Sequence, residues 1–110
     1  MFSTIDEAHR AELADDLRRL ADFLETGPAV PVSPYGGLDL VYFPAGDDTD
    51  QAEQVDAVAD LLGTEPHYEG AHYVCEKAFG RASYRVVAIP EHVRARHRAL
   101  MTYQSAVEPD

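Results

Sequence analysis

AHYVCEKAFGRASYRVVAIPEH, residues 71–92, decides how this chain folds. It contains the only cysteine, the only lysine and two of the five histidines. Strand-forming residues alternate on either side of Gly80-Arg81, a two-residue connection with glycine first, as a type II′ hairpin turn requires. Counting outward from that turn sets a register: Phe79 opposite Ala82, Lys77 opposite Tyr84, Glu76 opposite Arg85, Cys75 opposite Val86, Val74 opposite Val87 and His72 opposite Ile89. Successive side chains point to opposite faces of a strand. Cys75 therefore shares a face with Tyr73, Phe79, Tyr84, Val86 and Ala88, whereas His72, Glu76 and Arg85 share the other. A catalytic thiolate needs a base beside it, and the register denies Cys75 its nearest histidine. The sequence predicts a buried, inert Cys75. It also predicts a Glu76–Arg85 cross-strand ion pair, worth about 0.2–1 kcal/mol.

The rest of the chain frames this hairpin. Thr4 and Glu7 have capping-box spacing, and Leu13, Leu17, Leu20 and Leu24 then form one helical stripe. Gly27-Pro28 closes that helix, predicted over residues 5–26. PAVPVSPYGG, residues 28–37, reads as extended and turn-rich, with a short edge strand at Val30–Val32. LDLVYF, residues 38–43, is apolar on both faces and reads as an inner strand. A second helix begins in Asp47-Asp48-Thr49-Asp50, with Thr49 or Asp50 as cap, and Asp50 and Glu53 resemble a capping box. Val55, Val58, Leu61 and Leu62 form its inner face, and Gly63 ends it. Residues 64–69 suggest a short strand, followed by strands at 71–79 and 82–89. Pro90 suits the first position of a last helix that runs to Tyr103 with Val93, His97, Leu100 and Met101 inward, leaving residues 105–110 as a loose tail. The order α-β-α-β-β-α predicts a two-layer α+β domain over residues 1–104. It has an antiparallel or mixed sheet of three to five strands, covered on one face by about three helices. No strand-glycine-helix unit points to a doubly wound nucleotide-binding fold.

The net charge of −11 is unevenly placed. Residues 1–66 carry 15 Asp and Glu against 3 Arg, a balance of −12, and residues 67–110 carry 5 against 6, a balance of +1. An acidic potential repels phosphate backbones, so direct nucleic-acid binding is not expected. No apolar run reaches the length of a membrane span. The N-terminus lacks the basic-then-apolar pattern of a secretory leader, and one cysteine forms no internal disulfide. These features predict a cytoplasmic protein without membrane partners.

Chemistry-bearing patterns are sparse. His67 and His72 are five apart, as are His92 and His97, a spacing at which neither strands nor helices bring two imidazoles together. HxxxH, HExxH and CxxC are absent, so neither a metal nor a cofactor is expected. Asp47, Asp48, Asp50 and Glu53 do not follow the calcium-loop pattern and read as helix-capping groups. A pocket lined by Tyr35, Tyr42, Tyr68, Tyr73, Tyr84, His67 and His72 would suit a small ligand or an enzyme. Arg94, Arg96 and Arg98 span about 200° of the last helix and could dock on the acidic helices of a second copy.

The segment GAHYVCEKAFGRASYRVVAIP, a closing helix through ALMTY and the earlier DFLETGPAVPV together resemble small accessory proteins of actinobacteria and their phages. The resemblance spans most of the chain, implies an accessory role and carries no catalytic residues across. The sequence points to a non-enzymatic module that binds another protein, with homo-oligomerisation as a further possibility. The contact is expected on the outer sheet face at His72, Glu76 and Arg85, or on the acidic helices at Asp15, Asp16, Asp22, Asp56 and Asp60. Two alternatives use the same features: the tyrosine–histidine pocket above, and an acidic decoy that imitates DNA to occupy a nucleic-acid-binding protein.

Overall fold

A computed structural model describes residues 6–27 and 29–107. The chain is α+β, and the described residues form three helices and a four-stranded mixed sheet. It divides into two compact units, Met1–Gly36 and Gly37–Asp110. Among the described residues, no helix is long and apolar enough to cross a membrane.

The first unit contains α1, Glu7–Thr26. Thr4, the expected cap, lies outside the described residues. The cap is Asp6, whose carboxylate accepts the His9 backbone N–H at 3.0 Å, so the helix starts two residues later than its capping-box spacing suggests. The Gly27 N–H closes the other end on the Phe23 carbonyl at 2.8 Å. The leucine stripe is present, but Leu13, Leu17, Leu20 and Leu24 are 38–47% exposed and no residue of α1 is buried. The expected edge strand at Val30–Val32 does not form. A turn (Val30 N–H to Gly27 O, 3.0 Å) occupies its start, and Pro31 lacks a ladder donor.

The second unit is built on the hairpin. Strands β1 (Leu38–Tyr42), β2 (His67–Glu69), β3 (His72–Phe79) and β4 (Ala82–Ala88) form a sheet in the order β1-β4-β3-β2. The register of β3 on β4 is the expected one from Phe79–Ala82 through Val74–Val87, and it continues to Tyr73–Ala88. Gly80 takes φ +67°, and among the described residues no non-glycine has positive φ. That sign pattern is type II′ rather than I′, which would need positive φ at Arg81 as well. Gly70, at φ +62°, opens a second two-residue turn that places Glu69 opposite His72.

β1 is an edge strand, not the inner strand its apolar content suggests. It runs parallel to β4, pairing Leu38 with Ala82 through Tyr42 with Val86, and its residues are exposed apart from a half-buried Tyr42. Apolar residues on both faces mark a buried strand only when neighbours flank it on both sides, and long-range pairing decides that.

Helix α2, Asp48–Leu62, packs on β3 and β4. Its cap is Asp47, two positions before Thr49, the first of the expected pair. Asp50 N–H donates to Asp47 Oδ1 at 2.8 Å, and Asp47 N–H to Asp50 Oδ2 at 3.3 Å, a reciprocal capping box. Gly46, at φ +101°, must be glycine, because a Cβ there would stand 2.7 Å from Asp50. Val55, Val58, Ala59 and Gln51 are buried, and the Gln51 amide donates to the Gly46 carbonyl at 2.9 Å. Leu61, expected inward, is 77% exposed. At about 100° per residue it falls off the face shared by Val55, Val58 and Leu62.

Helix α3 runs from Glu91 to Val107, beyond the expected end at Tyr103, and residues 108–110 lie outside the described set. Pro90 precedes the helix, and its carbonyl accepts from Val93 and Arg94. Asp48 ties the two helix starts together, accepting the Glu91 backbone N–H at 2.8 Å and Arg94 at 3.0 Å. Val93 is half-buried, but His97 and Leu100 of the expected inner face are exposed, and the side chain of Met101 lies outside the described set.

The core is therefore α2 against the hairpin: Val55, Val58 and Ala59 meet the sheet that holds Cys75, Val86 and Ala88. Val55→Ala removes two buried carbons and leaves a cavity, a cost of roughly 2–3 kcal/mol. Leu61→Ala should stay within about 0.5 kcal/mol. Urea denaturation of both variants checks the assignment, and a larger loss from Leu61→Ala would invert the helix face.

Candidate functional site

The alternation of the strands sorts the chemistry onto two faces. On the α2 face stand Leu38, Leu40 and Tyr42 of β1, Tyr84, Val86 and Ala88 of β4, Tyr73, Cys75 and Phe79 of β3, and Tyr68 of β2. Tyr73 Oη donates to Asp56 at 2.5 Å, and the rings of Tyr68 and Tyr73 lie 4.8 Å apart. Tyr42 Oη reaches Gln54 at 3.4 Å. Cys75 is fully buried and unbridged. Burial pushes its thiol pKa up, and the charge of Asp56 adds to that, against a backbone hydrogen bond from Val86. These conditions suppress the thiolate, and no histidine shares its face.

The opposite face carries the charges. His67 and Glu69 are two apart on β2 and so point the same way, with His67 opposite Val74 and Glu69 opposite His72. Glu76 follows one step along β3, Arg85 stands opposite it on β4, and Val41 of β1 completes that row. Arg85 donates to Glu76 Oε2 at 3.1 Å, the expected pair, and to Glu69 Oε1 at 2.6 Å. To reach Glu69 its side chain crosses β3 at the level of Val74, which is fully buried. His67 Nε2 lies 3.0 Å from Glu69 Oε2 and 3.9 Å from Glu76 Oε1. At the far edge, Ser83 Oγ donates to Asp39 at 2.5 Å. The hydrogen bonds from His67 and Arg85 hold the Glu69 carboxyl below its ordinary pKa. Glu69 first, then the charges of Glu76 and Asp39, raise that of Arg85.

Of the residues singled out in the sequence, His72, Glu76 and Arg85 do share this face. Asp56 and Asp60 lie on α2, and Asp15, Asp16 and Asp22 on α1 in the other unit. Asp15 and Asp16 are engaged by Arg18 at 2.6 Å and Arg19 at 3.7 Å. The tyrosine–histidine set does not form one pocket. Four of its tyrosines face α2, the two histidines face away, and Tyr35 is 96% exposed in the first unit. A wide-mouthed cavity of about 500 Å³ is lined instead by Gly46, Asp47, Asp48, Thr49, Glu91 and Arg94. Arg94 and Arg98, considered as docking groups for another copy, bond within the chain to Asp48 and Glu91.

Glu69 and the role of His67 escape a search for histidine pairs, although the alternation His67-Tyr68-Glu69 puts imidazole and carboxylate on one face. Comparison with protein-family models, with curated proteins and with solved structures finds no match.

The Tyr73–Asp56 bond gives this half of the sheet a pH signature. Its hydrogen bond to Asp56, with burial and the Asp56 charge, pushes the Tyr73 phenol up to about 12 from 10.0. A raised pKa favours the folded state fully below pH 10 and loses that contribution as pH climbs toward 12. Wild type should therefore lose stability more steeply than Tyr73→Phe across that interval in denaturant melts. Parallel slopes would mean the bond does not persist in solution.

Proposed function

We propose that the protein is a small non-enzymatic accessory module of the cytoplasm that binds a basic surface on another protein, with α2 as the contact. One observation carries this reading: α2 holds five carboxylates (Asp48, Asp50, Glu53, Asp56, Asp60) and no basic residue, and its inner face is fixed against the sheet. Glu53 and Asp60, seven residues apart, share the outward face, with Asp56 between them engaged by Tyr73, and all three are exposed. Glu53 and Asp60 make no ion pair among the described residues, and Leu61 beside them is 77% exposed. An apolar side chain flanking a like-charged stripe suits a partner with a shallow pocket rimmed by Lys and Arg.

The other candidate surfaces are weaker by the same criterion. The Glu69 and Glu76 carboxylates opposite α2 are already engaged within the chain, both by Arg85 and Glu69 also by a hydrogen bond with His67. Helix α1 mixes six acidic residues with three arginines, and Asp15 and Asp16 are already paired with two of them.

The test is affinity capture from host lysate with the intact chain as bait, followed by titration of the purified partner. The double variant Glu53→Gln, Asp60→Asn should weaken binding roughly twofold to thirtyfold, since exposed ion pairs contribute about 0.2–1 kcal/mol each and 1.4 kcal/mol is tenfold. Raising ionic strength from about 0.01 M to about 0.15 M should weaken the wild type in the same direction. A partner held equally by both proteins and at both salts would overturn the assignment to α2.

A further inference from the structure

We propose that His67, Glu69 and Glu76 form a binding site for one divalent transition cation of the zinc class, on the sheet face opposite α2. Nε2 of His67 and one oxygen from each carboxylate lie within 4.8 Å of one another. Two of the separations are 3.0 Å (His67–Glu69) and 3.9 Å (His67–Glu76). Zinc bonds of about 2.0–2.2 Å to nitrogen and oxygen place tetrahedral ligand atoms roughly 3.4 Å apart, so small side-chain rotations convert this cluster into a ligand set.

Three features make it more than a meeting of charges. The first is division of labour. Arg85 takes Oε1 of Glu69 and Oε2 of Glu76, and the other oxygen of each carboxylate, Glu69 Oε2 and Glu76 Oε1, faces the imidazole. Ligating carboxylates are commonly fixed by such outer hydrogen bonds, which orient the donor atoms. Arg85 is only 19% exposed, less than either glutamate, so it is the anchored member and the glutamates are the reachable ones.

The second is charge. Glu69 and Glu76 set two carboxylates against the one Arg85 guanidinium, leaving a net negative charge with neutral His67. A cation placed between the two free carboxylate oxygens and the imidazole nitrogen is attracted by that remainder.

The third is donor type and backbone. One imidazole nitrogen with two carboxylate oxygens suits a borderline cation such as Zn²⁺. Calcium and magnesium favour all-oxygen sets, and copper(I) favours sulfur. All three donors stand on paired strands of one sheet, fixed by the β2–β3 register. Three protein ligands leave a coordination position for water or for a donor from another molecule.

The test is calorimetric titration of the intact protein with Zn²⁺ alone in a non-coordinating buffer near pH 7.5, above the ordinary histidine range of about 6.5. Saturable 1:1 binding is expected, with His67→Ala and Glu76→Gln each weakening it about tenfold to a hundredfold. His72→Ala controls for imidazoles outside the set and should leave the affinity unchanged, and Mg²⁺ should not compete. Circular dichroism of each variant confirms that these half-exposed substitutions leave the fold intact. No saturable heat, or equal affinity in His67→Ala, would overturn the proposal and leave the cluster as an ion-pair ladder.

Discussion

The pairing of β3 with β4 is the constraint on which the rest of the second unit depends. Side chains alternate with a period of two, so a slip of one residue would exchange the faces of the whole hairpin. In the observed register, Cys75, Val86 and Ala88 meet α2, while Glu76 and Arg85 meet each other on the far side. Gly80 supplies the positive φ at the first turn position, where a branched or bulky residue would be strained. Burial reinforces the choice. The α2 face receives Cys75, Val86 and Ala88, which pack at no polar cost, and the opposite face combines the buried Val74 and Val87 with groups that must be paired or solvated. A shifted register would present Glu76 and Arg85 to the apolar side of α2, a far larger penalty than the cross-strand ion pair can offset.

Around this hairpin the second unit is closed by local devices. The Asp47–Asp50 box starts α2, Gly63 stops it in the left-handed region, and Asp48 reaches forward to the start of α3. The Asp48 contacts explain why an acidic run at a helix start need not be a binding site. All three of its carboxylates, Asp47, Asp48 and Asp50, accept backbone N–H groups, and Asp48 also holds Arg94. The acidic groups that remain available are further along the helix, on the side turned away from the sheet.

Features governed by neighbours in sequence were legible from the sequence, and features governed by distant pairing were not. The turn at Gly80-Arg81 is two residues long with glycine first, so Glu76 opposite Arg85 and the burial of Cys75 follow from counting. The equivalent turn at Gly70-Ala71 obeys the same chemistry, and reading it would have placed Glu69 beside His72 and turned His67 toward the cluster. β1 could not be placed this way. Its parallel partner is 44 residues away at Leu38–Ala82, and nothing within LDLVY distinguishes an edge from an interior position. Leu61 shows the limit of periodicity: apolar neighbours at 61 and 62 cannot both face inward, and packing on the sheet selects the second. The candidate site was accordingly half visible, with Glu76 and Arg85 within one hairpin and His67 and Glu69 brought in by a second one.

The two-faced register is most directly tested by the cross-strand nuclear Overhauser effects of the hairpin. In a two-residue hairpin, pairs alternate from the turn outward, so Ala78–Ser83, Glu76–Arg85 and Val74–Val87 are the non-hydrogen-bonded pairs whose Cα atoms approach to about 4.5 Å. Strong Hα–Hα contacts should appear at these three pairs, with contacts between Cys75 and α2 and none from Glu76 to that helix. Strong Hα contacts from Glu76 to Tyr84 or Val86 instead would shift the register by one and contradict the account.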